Sequence, residues 1–242
     1  MCDCEIVVRR ARAADEGARS ELVRLGFATH RKDAFLLFFF QELTLQICVL
    51  AGAVLFIFCG VSVAGCAMLL PATAAGVALA VHVAHLAAAD KQVQNMRKEM
   101  MGFVAELRGP LFINPEKVSP PIVVETELEQ TKPSKSVHSQ VVGSVSVSEF
   151  WGPRRSGWLH ALVVHPQWSR RGIGRALVAA AKTQSVRDGL ESLECVASEL
   201  QPNARALLHS AGWEVRGAYH RRLCGAALTL LLAHLGTDLP HA

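Results

Sequence analysis

Between Glu42 and Asp90 the chain carries no aspartate, glutamate, lysine or arginine, an uncharged run of about 47 residues, Leu43–Ala89. As one helix at 1.5 Å per residue it would measure on the order of 70 Å, about twice the ~30 Å hydrocarbon core of a bilayer. It begins too late and runs too long for a signal peptide. Pro71, set between Leu69-Leu70 and Ala72-Thr73-Ala74, marks the natural turn. The expectation is a transmembrane block over residues 34–90 built on one helical hairpin, about 43–70 and 72–89. The second arm is short and Ala-rich, which suits either a full span or a re-entrant arm. His82 and His85 lie about one helical turn apart in it and are expected to face the partner helix. Basic residues flank the block, His30-Arg31-Lys32 before it and Lys91, Arg97 and Lys98 after it. For a hairpin, the positive-inside tendency leaves both ends in the cytosol. Membrane lipid is therefore the expected partner, in the endoplasmic reticulum or another internal membrane.

Composition supports this division. The 242 residues suffice for one domain of ordinary size plus an appendage, and 51% of them are hydrophobic. The formal net charge of +4 gives no argument for nucleic acid. Seven cysteines include no CxxC pair, and Cys48, Cys59 and Cys66 fall inside the apolar block. Neither a metal site nor a disulfide framework is expected.

Outside the block, the most informative stretch is Gly157–Lys182, GWLHALVVHPQWSRRGIGRALVAAAK. Leu159–Val164 is an apolar, partly β-branched run interrupted only by His160, as in a strand buried on both faces. Pro166 ends it. Ala176–Ala181 has the composition of a packed helix. Between them, Gly172-Ile173-Gly174 allows a tight turn that aims successive N–H groups at one point, with the positive end of a helix behind them. Such a nest binds an anion, typically a phosphate, and Arg170, Arg171 and Arg175 add charge around it.

The order strand, Val164-His165-Pro166, Trp168, Arg170-Arg171, Gly172-Ile173-Gly174, helix resembles the acetyl-CoA signature of the GNAT superfamily of N-acetyltransferases. Ser169 stands where that family usually has Gln or Arg. Two further segments fit the resemblance. Residues 5–25, a strand EIVVR followed by a helix over Ala14–Leu25 with Leu22, Val23 and Leu25 inward, are similar to the family's opening. NARALLHSAGWE, from Asn203 to Glu214, is similar to its segment in which Asn opens a helix that ends in Gly and an aromatic. A membrane block after the first helix resembles the membrane-anchored, camello-like group of the superfamily. A single span would part the first strand from the rest of the sheet, which favours the hairpin.

The resemblance implies an α/β (α+β) fold: a mixed, mostly antiparallel twisted sheet flanked by helices, with the hairpin inserted. Residues 1–33 would hold the first strand and helix, 91–121 an exit helix (Gln92–Leu107) and a connector (Asn114–Pro121). Residues 122–235 would form the acetyl-CoA-binding domain, and 236–242 a tail. Strands are expected at Ile122–Glu125, Val141–Val147, Ser192–Val196 and Trp213–Tyr219, with an exposed loop at Glu127–Gln140 and a turn at Phe150–Ser156. Arg222–Leu235 is read as a last strand followed by a membrane-surface or core segment.

The resemblance also implies transfer of acetyl from acetyl-CoA, a co-substrate, to an amine whose identity is not encoded. Leu162 and Val164 would hold the pantetheine through their backbone, Arg170, Arg171, Gly172, Ile173, Gly174 and Arg175 would surround the pyrophosphate, and Asn203 would touch the pantetheine or cysteamine end. The family often places a carboxylate base on its fourth strand; none is present here. Counting in twos from Val164 gives Leu162, His160 and Trp158 on one face, so His160 is a candidate base; a ring satisfied by a neighbouring carbonyl is the other reading. The family's tyrosine acid corresponds to Leu208. His209 is adjacent but about 100° round the helix, Tyr219 does not match, and Glu149 and Glu199 are outside candidates. Two readings stay open, a membrane-anchored N-acetyltransferase and a catalytically weak acetyl-CoA-binding regulator or scaffold, with a DNA-binding regulator as a remote third.

Overall fold

Eight strands and seven α-helices follow one another in the computed structural model, which describes residues 4–110, 120–125, 138–151, 155–224 and 228–240. In chain order they are β1 (Glu5–Arg10), α1 (Glu16–Thr29), α2 (Arg31–Phe39), α3 (Glu42–Cys59), α4 (Val63–Ala67), α5 (Leu69–Met96), β2 (Met101–Gly109) and β3 (Ile122–Val124). Then come β4 (His138–Trp151), β5 (Arg155–Val164), α6 (Ile173–Arg187), β6 (Ser192–Ser198), α7 (Pro202–Ser210), β7 (Glu214–Cys224) and β8 (Leu228–Asp238). Most of the expected connector and loop, 114–119 and 127–137, and the turn residues 152–154 lie outside the described residues.

The strands form one sheet in the order β3-β1-β2-β4-β5-β6-β8-β7. Its pairs are antiparallel except β1 with β3 and β5 with β6. This is the mixed, mostly antiparallel sheet the sequence leads one to expect. One face packs on α6 and α7 through Val145, Val147, Leu159, Leu177, Leu193, Trp213 and Leu235, all buried. The other face carries α1 and the end of α5, where Val23, Val93 and Met96 meet Phe27, Ala161 and Val163. Leu22 and Val23 are buried as expected, whereas Leu25 is exposed.

Buried charge also holds the second face. Arg9 donates two hydrogen bonds to Asp15 (2.7 and 3.0 Å) and one to Glu106 (2.9 Å). Arg19 donates to both carboxylate oxygens of Glu99 (2.6 Å each) and to Ser144 and Ser146 (2.9 Å each). The five partners, Asp15, Glu99, Glu106, Ser144 and Ser146, are thereby tied across the α1 face, since a buried guanidinium needs its donors satisfied.

The apolar block folds as two long helices, α3 and α5, joined through the short α4, and does not turn at Pro71. Helix α3 ends at Gly60, which takes the left-handed conformation (φ 64°) that closes helices. Ser62 then caps α4 through the Gly65 N–H. Pro71 sits in the first turn of α5, where no N–H is required of it. The two apolar helical stretches, Glu42–Cys59 and Val63–Met96, are each long and apolar enough to cross a membrane, and the most apolar 18 residues of each are unburied in the protein; only Val81 and the domain-facing end of α5 (Ala89, Val93, Met96) are covered. Phe58 is 81% exposed. His82 and His85 do not turn to α3: His82 accepts from Arg31 of α2 (2.6 Å), and His85 donates to the Val81 carbonyl of its own helix (2.8 Å).

One further expectation is corrected. The exit helix expected over Gln92–Leu107 stops at Met96, and Met101–Gly109 is instead β2, between β1 and β4. Every residue of β2 but Arg108 is buried, so no alternation betrays a strand. The neighbour of β1 on the inner side is thus β2, and β3, the strand expected at Ile122–Glu125, is an edge addition beside β1. Of the two readings for the end of Arg222–Leu235, the core one is met: its described residues, 222–224 and 228–235, belong to the end of β7 and to β8, which lies inside the sheet between β6 and β7.

Candidate functional site

Strands β5 and β6 pair only through Ser156, Gly157 and Trp158 against Ser192, Leu193 and Glu194. Beyond that rung they part, and among the described residues no strand pairs with Leu159–Val164 on that side. The cause is in β5 itself. Ala161 has φ 50° and the register with β4 slips between Ser144 and Ser146, which pair with Val163 and His160. One extra residue bulges β5 and bends it away from β6. His165 donates its N–H to Val142 O (2.8 Å), towards β4. By strand alternation the N–H groups of Val164 and Leu162 point to the opposite, vacated edge.

The opening leads to the head of α6. Gly172 is the N-cap, with φ 83°, and Arg170 has φ 64°. The first intrahelical bond runs from Ala176 N–H to Gly172 O (3.0 Å). Helix geometry therefore leaves the N–H groups of Ile173, Gly174 and Arg175 without an intrahelical acceptor, aimed out of the helix end. A Cβ on Gly174 would stand 3.2 Å from Leu207 Cδ2, so the absence of a side chain there lets α6 approach α7. Ile173 is buried and anchors the turn, while Gly172 is exposed.

The side chains around this nest are held by local contacts. Arg171 lies over the ring of buried Trp168 at 4.7 Å from its centroid. Arg170 donates to Asn203 Oδ1 (3.1 Å), spanning from the loop to the start of α7. Arg175 is exposed on the first turn of α6. Ser169, in the place of the family's Gln or Arg, spends its hydroxyl on Pro166 O (2.8 Å). The residues named for acetyl-CoA, Leu162, Val164, Arg170–Arg175 and Asn203, thus gather along one path from the β5 edge to the α6 head.

The proton-transfer candidates are not brought to that path together. Because of the bulge, His160 lies on the α1 face with Val163, not in line with Leu162 and Val164, which pack towards α6. It is buried; its Nε2 contacts Ser148 Oγ at 2.7 Å and its Nδ1 has no partner among the described residues. Burial lowers its pKa to about 4; Glu99 opposes that shift and Arg19 adds to it. The ring is therefore neutral at physiological pH and takes up a proton poorly. His209 is exposed on α7, and Leu208 is buried in the core. Glu199 accepts from the Leu231 N–H (3.1 Å) at the edge of β8, and Glu149 is exposed. Among the described residues no group of three His, Cys, Asp or Glu is placed to hold a metal ion.

Sequence reading missed Glu194 and His234. Glu194 is buried at the last β5·β6 rung, opposite Trp158. Each is a titratable residue with apolar neighbours on both sides, Leu193 and Cys195 around Glu194, Ala233 and Leu235 around His234; that is the signal by which two such strands could have been paired.

Residues 107–213 match the model of the Acetyltransferase (GNAT) family. The match takes in β4, β5, α6, β6 and α7, and so the whole opening described above. Solved structures with a similar chain course include one assigned as a phosphinothricin N-acetyltransferase (12% identity, 98% of this chain and 100% of that one, TM-score 0.49). The ribosomal-protein-S18-alanine N-acetyltransferase of Escherichia coli is another (14% identity, 64% and 78%, TM-score 0.42). A third, from Bacillus anthracis str. Ames, is assigned as a streptothricin acetyltransferase and was solved with acetyl coenzyme A (12% identity, 59% and 64%, TM-score 0.41). No match is found among curated proteins.

Proposed function

We propose that the chain is an acetyl-CoA-dependent N-acetyltransferase, anchored in a membrane by the α3–α5 hairpin as in the camello-like group, with its catalytic domain in the cytosol. One observation carries this: the open N–H nest of α6 lies at the mouth of the β5/β6 opening, inside the stretch that matches the acetyltransferase family. In this reading the pyrophosphate sits on the amides at Gly172–Arg175. The pantetheine hydrogen-bonds along Leu162 and Val164, and the thioester reaches the vertex near Trp158. At roughly 3.3 Å per residue, Leu159–Val164 measures on the order of 20 Å, a length the extended pantetheine arm fills. A backbone N–H there would polarise the thioester carbonyl, and holding an amine against it supplies much of the remaining rate.

The test is mass spectrometry of the detergent-purified protein for retained coenzyme, followed by thiol release from acetyl-CoA with an amine library. Gly172→Glu, which fills the nest with a carboxylate, abolishes retention. Absence of retained or added acetyl-CoA binding by the wild type sinks the proposal. A catalytically weak acetyl-CoA-binding regulator is favoured by Leu208 at the tyrosine position and by the neutral, buried His160. Retention without thiol release would select it.

A further inference from the structure

At the vertex where β5 and β6 part, the face opposite α6 carries a small polar cluster on an aromatic floor. Glu194 (β6) pairs with Trp158 (β5) as the last rung, and His234 (β8) pairs with Val196, two residues further along β6. His234 Nε2 stands 3.1 Å from Glu194 Oε2, and neither atom has a hydrogen bond among the described residues, although both are buried. The other Glu194 oxygen is held by Arg216 (β7), which also donates to Asp238 (β8) at 2.6 Å. Trp158 lies 5.9 Å from the His234 ring and stacks on Phe150 at 5.2 Å. Glu194's side chain is 6% exposed, while that of His234 is 30% exposed.

This is not the arrangement a purely structural ion pair needs. Arg216 alone would compensate a buried carboxylate, yet the second oxygen is turned to a ring that solvent reaches. An acceptor amine arrives as an ammonium and must lose a proton before its nitrogen can attack. Strand β5 has no Asp or Glu, and His160, the other imidazole on this face, is buried under α1.

Resting on the acetyl-transfer reading above, we infer that Glu194 and His234 form the acceptor side of the site. His234 takes the proton of the incoming ammonium, and Glu194 positions the ring and balances its charge. The freed nitrogen pair forms the bond to the thioester carbonyl carbon. The C–S bond breaks with its electrons on sulfur, and the second nitrogen-bound proton passes to that sulfur as the thiol of CoA. The imidazolium returns its proton to water through its exposed edge. Trp158 walls the acceptor against the opening.

The test uses the full chain in detergent, with three probes: 2-phenylethylamine, an N-terminally blocked lysine peptide and a peptide with a free N-terminus. Retained acetyl-CoA and the pH profile of thiol release are measured together. His234→Gln is expected to keep acetyl-CoA while losing roughly 10²–10⁴-fold in kcat, the usual contribution of a positioned base. Its residual rate should climb steadily with pH where the wild-type rate levels off. Glu194→Gln should keep acetyl-CoA and lower kcat with little change in KM for the amine, because the imidazolium formed in the transition state loses its counter-charge. Added imidazole should restore part of the rate of His234→Ala, which a packing role would not permit. A His234→Gln protein with the wild-type rate and profile, or no imidazole rescue in a His234→Ala protein that retains acetyl-CoA, overturns the inference. So does a wild type that retains acetyl-CoA but releases no thiol with any probe, which leaves the coenzyme site standing. A wild type that binds no acetyl-CoA overturns the acetyl-transfer reading itself.

Discussion

His160 and Val163, three residues apart on β5, lie on the same face of the sheet, against Ser146 and Ser144 of β4. The left-handed Ala161 between them makes this possible. It also bends β5 off β6. The side of the sheet on which each β5 residue falls, and the opening beside it, therefore have one cause.

Ala161→Val should be costly, because a β-branched residue at φ 50° is strained by about 1–2 kcal/mol and crowds Val23 and Met96. Ala161→Gly relieves the strain but loses a packed methyl, leaving stability near that of the wild type. Thermal unfolding midpoints check both. Acetyl-CoA affinity should fall in the valine variant only.

His160 gives stability a pH dependence of definite sign. Its folded pKa, about 4, lies below the ordinary 6.5. The unfolded chain thus binds the extra proton first, and stability present above about pH 6.5 is lost as pH falls towards 4. The full effect is up to about 3 kcal/mol. His160→Gln, keeping a contact to Ser148, should flatten unfolding midpoints over that window; an unchanged slope would contradict the burial.

Gly172 and Gly174 should respond differently. A Cβ at Gly172 meets only Ile122 Cδ1 at 3.7 Å, so Gly172→Ala costs the backbone strain alone, about 1–2 kcal/mol. Gly174→Val drives a branched side chain into Leu207 and Val164, costing about 1–3 kcal/mol by overpacking. Calorimetric binding of acetyl-CoA should show the larger loss for Gly174→Val, which separates α6 from α7.

The Arg9 cluster predicts an acid limb. Burial is the largest single influence and would raise the carboxyls of Asp15 and Glu106, but the hydrogen bond and charge of Arg9, together with Arg12 at Asp15 and Arg108 at Glu106, outweigh it, and both are lowered from their ordinary 3.8 and 4.5. Their contribution is complete above those values and lost as pH falls through the lowered ones. Asp15→Ala, which strips Arg9 of a bidentate partner, should cost about 3–5 kcal/mol at neutral pH. Unfolding followed by circular dichroism should also show a shallower acid limb in that variant.

The parts legible in the sequence were those with a local signature. Gly172 and Gly174 announce a tight turn at a helix head, and the uncharged run announces helices that leave the domain. What stayed hidden depends on partners distant in sequence. Strand β2 is buried on both sides, so Phe103 and Leu107 fell on a helical spacing by coincidence. The bulge at Ala161 has no residue-type marker, since alanine is not the usual occupant of a left-handed position; counting in twos therefore put His160 on the wrong side. Pro71 outweighed Gly60 as a turn signal, although a proline in a first helical turn is unremarkable. The pairing of Glu194 with His234 joins residues 40 apart in sequence and needed the register of β8.

Helix α5 runs without a break from Leu69 to Met96, and its last turns pack on the bulged segment of β5. In the anchored reading no flexible tether separates bilayer from catalytic domain. Ala89 to Met96 measures only about 10 Å, so the domain is cantilevered at a fixed height and attitude above the lipid. Acceptors would then be sorted by reach: a terminus or side chain presented close to the headgroups is within range, and one borne on a bulky globule is held off by the membrane itself.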